Sequence, residues 1–118
     1  MKPALRRLRL WEASRMSEVA VIFRRWQYSG GVIALFPELP VDHDGWLCTS
    51  YEHVGQHAAA DYHGVVARTV PATASEREAL RRELSQVGYV LRFIRRASGR
   101  HHRRRRIEAR RLRSTDTR

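Results

Sequence analysis

A chain of 118 residues with 42% hydrophobic content fits one domain with a modest core. Its formal charge of +11 points toward polyanionic partners, its single cysteine excludes an intramolecular disulfide, and its apolar runs are far too short to cross a bilayer. Without a Cys-x-x-Cys pair the usual thiolate zinc site is also missing, and a cytoplasmic protein without membrane association is the expectation.

The charge is unevenly placed. Residues 1–16 carry Lys2, Arg6, Arg7, Arg9 and Arg15 against Glu12, a net +4. Residues 17–94 carry seven arginines against nine acidic residues, a net −2, and residues 95–118 carry eleven arginines against Glu108 and Asp116, a net +9. This divides the chain into a basic N-terminal extension (1–16), one compact domain (17–94) and an arginine-rich tail (95–118). The ends, and not a groove in the domain, are therefore expected to attract polyanions. Leu5-Arg-Arg-Leu-Arg-Leu-Trp11 has the pattern of a short basic amphipathic helix. Met16-Ser17 directly precedes the first strand-like run, so a start at Met16 is the competing reading of the extension.

In chain order, Val19 to Tyr28 is rich in β-branched and aromatic residues, Ser29-Gly30-Gly31 supplies freedom for a turn, and Val32 to Phe36 is a second apolar run. These predict a β-hairpin whose second strand stops near Phe36, because Pro37 and Pro40 cannot donate to a ladder. A third strand is predicted from Trp46 to Tyr51, with Trp46 and Cys48 on one face and Leu47 and Tyr51 on the other. Gly64 to Val70 reads as a further strand. Ser75-Glu-Arg-Glu78 has the form of a capping box opening a helix over 75–87, with Leu80, Leu84 and Val87 on its inner stripe and Gly88 closing it. Tyr89 to Ile94 reads as a last strand. The helix between two strands predicts a right-handed β-α-β unit with those strands as parallel neighbours. The expected fold class is α+β: a small mixed sheet, made of the hairpin and two to three further strands, covered by one helix. The tail, whose Ile107 and Leu112 are too sparse for a core, is expected to be disordered.

Chemistry-bearing residues concentrate in Cys48-Thr-Ser-Tyr-Glu-His-Val-Gly-Gln-His57 and the following Asp61 and His63. His53 and His57 are four apart, a spacing that on a helix places both rings on one face, where Asp61 or His63 could complete a divalent-metal site. Gly55 between them weakens such a helix. Cys48 and His53 invite comparison with a thiol–imidazole pair, although a cysteine within a strand is more often a small buried hydrophobe. The competing reading is a polar or partner-binding loop in which Ser50, Tyr51, His53, Gln56, His57 and Asp61 hydrogen-bond to one another and to the backbone. On that reading no cofactor is called for.

The words Val-Ile-Ala-Leu-Phe-Pro-Glu-Leu-Pro, Ser-Tyr-Glu-His-Val-Gly-Gln-His, Ala-Asp-Tyr, Val-Val-Ala-Arg-Thr and Pro-Ala-Thr before an acidic helix follow one another between residues 32 and 73. In this order they resemble a family of small uncharacterised bacterial proteins associated with phages, plasmids and other mobile elements. The resemblance covers residues 19–94 and implies a compact domain with both basic ends as departures from the pattern; it implies no activity for particular residues. Two functions are then expected as alternatives. One is a non-enzymatic accessory protein whose domain binds a protein partner while Arg100, Arg103, Arg104, Arg105, Arg106, Arg110, Arg111 and Arg113 attract DNA or RNA without sequence preference. The other is a metal- or thiol-dependent site around Cys48, His53, His57 and Asp61.

Overall fold

The β-branched and aromatic runs form an antiparallel pair, β1 (Glu18–Trp26) and β2 (Val32–Pro40), in the computed structural model, which describes residues 18–53 and 56–116. The N-terminal extension lies outside the described residues. The expected hairpin is closed through Gly30 at φ 77, whose N–H donates to the Trp26 carbonyl. β2 runs past the point where the prolines were expected to stop it. Its register against the third strand shifts between Phe36 and Pro40, so Pro37 falls in an irregularity of the ladder, where a missing N–H does no harm.

β3 (Cys48–Glu52) and β4 (Gln56–Ala60) continue the sheet antiparallel, with Tyr51 opposite His57. Trp46 is not part of β3, as the alternation predicted; it lies in the preceding loop and is 64% exposed. The run expected as a strand from Gly64 begins instead with a helix, α1 (Tyr62–Ala67), and only β5 (Thr69–Pro71) is extended. Tyr62, Val65 and Thr69, three and four apart, are all buried, and this helical spacing overrides the β-preference of Val65 and Val66. Arg24 on β1 fastens the junction, donating to the Val66 and Thr69 carbonyls and to Thr69 Oγ1.

α2 (Ala74–Val87) is the expected helix, but its capping box is formed by Thr73 and Glu76 rather than by Ser75 and Glu78. Glu78 pairs with Arg81 instead. Gly88, at φ 121, ends the helix as expected. β6 (Val90–Phe93) then runs parallel to residues 18–21 of β1, while β5 runs antiparallel to residues 24–26 of the same strand. The strands on either side of α2 thus share one edge of β1 end to end in opposite directions, and the expected parallel β5–β6 neighbourhood does not form. The path through the sheet is β4-β3-β2-β1, completed by these two short strands.

Both faces of the sheet are covered. Val19, Val21, Phe23, Ala34, Phe36 and Tyr51 pack with Leu80 and Leu84 of α2, and the alternate residues Ile22, Ile33, Leu35 and Cys48 pack with Tyr62, Val65 and Ala97. The arginine-rich end joins this second layer. It forms α3 (Gly99–Asp116), in which Arg105 and Ala109 are each 3% exposed, so the expectation of a disordered tail is corrected. The sparse apolar residues misled: α3 packs through a small side chain and a buried guanidinium, whereas Ile107 is 54% exposed.

Candidate nucleic-acid interface

Arg105 anchors α3. Its Nε donates to the Gly45 carbonyl at 2.8 Å, its Nη1 to the Pro37 carbonyl at 2.7 Å, and its Nη2 to the Trp46 carbonyl at 3.4 Å. No carboxylate forms an ion pair with it among the described residues. Burial lowers the guanidinium pKa, yet arginine stays protonated in proteins, so the cation is held by backbone dipoles. Close approach makes these bonds reachable. Gly45 sits at φ 76 with its missing Cβ aimed at the helix, only 2.8 Å from the Arg106 Cα position. Further along, Arg113 Nη1 lies 3.1 Å from Asp44 Oδ1, and the Arg106 guanidinium lies 5.4 Å from the Trp46 ring centre.

With Arg105 and Ala109 turned inward, the rotation of about 100° per residue sends Arg100, Arg103, Ile107 and Arg110 to the opposite side. All four are exposed, and exposed Arg104 and Arg111 flank them. Arg111 is tied to Glu108 within the helix, whereas Arg100, Arg103, Arg104 and Arg110 make no ion pair among the described residues. The sequence-stretch reading of eight equivalent arginines is thereby resolved into distinct roles: one in the core, two fastened to the 41–47 loop, one paired along the helix and four facing solvent.

No protein-family model, curated protein or solved structure matches the chain. Residue roles therefore rest on the geometry itself.

The residues of the histidine stretch are distributed as follows. Cys48 is fully buried among apolar side chains, and burial pushes its thiol up to about 11. His53 follows the other end of β3, roughly 17 Å along an extended strand from Cys48, with Nδ1 3.3 Å from Glu83 of α2. His57 lies across the ladder from Tyr51, its Nε2 2.8 Å from the Tyr89 hydroxyl. The spacing of four between His53 and His57 thus spans a strand connection, and both rings fasten the β3–β4 pair to α2 and the residue after its cap. Ser50 is buried and donates to the Ala58 carbonyl; Gln56 is exposed opposite Glu52. Asp61 is the N-cap residue of α1 without a side-chain cap bond, and His63 meets His102 of α3, ring centres 5.2 Å apart. No three His, Cys, Asp or Glu residues gather into a metal-holding group among the described residues.

His102 makes the α1–α3 junction pH-sensitive. Its ring stands 4.9 Å from that of Tyr62, its Nδ1 accepts from Arg105 Nη1 at 2.9 Å, and its buried Nε2 has no partner among the described residues. Burial, then Arg105, His63, His101 and Arg106, lower its pKa from 6.5 to about 4. A folded-state pKa below the unfolded one means that the unfolded chain takes the proton first. The His102 contribution to stability is full above pH 6.5 and is lost as pH drops from 6.5 toward 4. Thermal melts across that window should show this loss, and His102→Gln should flatten it; equal slopes in both proteins would remove His102 as its source.

Proposed function

We propose that the chain is a non-enzymatic accessory protein that attaches to nucleic acid through the outer arginines of α3, contacting phosphates without reading sequence. The observation that supports this most is that Arg100, Arg103, Arg104 and Arg110 share one exposed surface of a helix whose inner face is fixed to the domain by Arg105. Pre-positioned guanidiniums lose less freedom on binding than those of a loose tail. No helix among the described residues is long and apolar enough to cross a membrane. Partner binding belongs to the sheet domain in this reading, where among the described residues β4 leaves an outer edge without Lys, Glu or Pro, a shape suited to strand addition.

Substitution is a sharper test than truncation, because removing α3 would also uncover the second core. With four phosphates neutralised, affinity for duplex DNA should fall with a log–log salt slope of about −3.6, or about 150-fold between about 50 and 200 mM salt. Changing Arg100, Arg103, Arg104 and Arg110 to Gln together should bring that slope near zero while leaving the circular dichroism of the helix in place. An unchanged slope in a folded quadruple variant would assign the charge contacts elsewhere.

A further inference from the structure

The 41–47 loop adds to the arginine helix a group that phosphate binding does not use. Trp46 is 64% exposed, so most of its indole surface meets solvent instead of packing into the core. It is nevertheless held in place: its carbonyl accepts from Arg105, its neighbour Gly45 is wedged against the Arg106 backbone, and the Arg106 guanidinium lies against its ring. Arg103 and Arg110 stand one turn before and one turn after Arg106, along the same flank of α3. The loop's two carboxylates are engaged, Asp42 accepting from the Leu47 N–H and Asp44 pairing with Arg113, so they do not oppose an approaching phosphate unscreened. Val41, Ile107 and Leu112 are also exposed, which places four of the eight exposed large hydrophobic residues among the described residues on this loop and helix. An aromatic face within a row of cations matches a chain of phosphates whose bases are unstacked; a duplex keeps its base faces covered by their neighbours.

We infer that Trp46 is a base-stacking platform and that the ligand of the α3 surface is single-stranded nucleic acid, one base resting on the indole while Arg103 and Arg110 hold the adjacent phosphates and Arg106 backs the ring. This rests on the phosphate-binding reading above. It explains why the loop is fastened so closely to the helix: the ring and the guanidiniums must keep one spacing to engage one strand.

The test measures binding of the full chain by fluorescence anisotropy to labelled oligothymidylate and oligouridylate of about 12 nucleotides, and to an abasic phosphodiester of the same length and charge. Trp46→Ala should weaken both base-bearing strands by about 10-fold or more and change the abasic strand by less than about twofold, while Trp46→Phe should recover most of the loss. The two base-bearing arms report whether DNA or RNA is preferred. Equal affinity of wild type for the abasic and base-bearing strands, or equal losses on all three in Trp46→Ala, would overturn the stacking role and leave phosphate binding intact. Wild-type protein that binds none of these strands would overturn the single-strand inference, and the absence of duplex binding as well would overturn the phosphate-binding reading.

Discussion

Arg105→Ala is expected to destabilise the protein by about 3–5 kcal/mol, seen as a fall in melting temperature of about 10–20 °C. The substitution removes the donors to three carbonyls, those of Gly45, Pro37 and Trp46, and leaves a void where a fully enclosed side chain stood. Arg105→Lys should recover only part of the loss, since an ammonium lacks the planar fork that reaches both strand and loop at once. The neighbouring Arg104→Ala, at an exposed position, should stay within about 0.5 kcal/mol of wild type. Similar melting temperatures for Arg104→Ala and Arg105→Ala would mean that the helix is not anchored through this guanidinium.

Gly45→Ala should cost about 2–4 kcal/mol, combining the unfavourable φ of 76 with a Cβ 2.8 Å from the Arg106 Cα. A backbone atom of a helix cannot swing aside as a flexible side-chain end can, so α3 must shift or the loop must open. Gly30→Ala is the matched control, because Gly30 has φ 77 and nothing within 4 Å of its missing Cβ. It should cost only about 1 kcal/mol. Chemical denaturation of the two variants separates the strain common to both from the steric term found only at residue 45; equal losses would place no steric demand on the loop–helix contact.

What was legible in the chain were features carried by neighbouring residues. The hairpin follows from two β-rich runs around Ser29-Gly30-Gly31, and α2 from the spacing of Leu80 and Leu84 with Gly88 behind them. The misreadings share a cause in contacts from far along the chain. Val65 and Val66 look like strand residues until Arg24, more than forty positions earlier, closes the helix beneath them. Arg105 is one of four consecutive arginines, and only the carbonyls of Pro37 and Gly45 distinguish it from the other three. Trp46 and Arg106 are sixty residues apart, so this contact between an indole and the arginine helix is visible only in the fold. The histidine pair shows the reverse effect. A spacing of four is informative on a helix, but across a strand connection it merely leads the two rings to Glu83 and Tyr89.

Because α3 both covers the core and carries the exposed cations, ionic strength acts on this protein in two opposed senses. Eight arginines on one eighteen-residue helix, only partly offset by two acidic residues, repel one another, and added salt relieves that strain in the free molecule. The same salt competes with phosphates for the outer surface. At low ionic strength the bare fold is therefore at its weakest while its hold on a polyanion is strongest, and the ligand supplies the counter-charge that the solution lacks. A bound strand would thus act as part of the folded protein's own electrostatic balance.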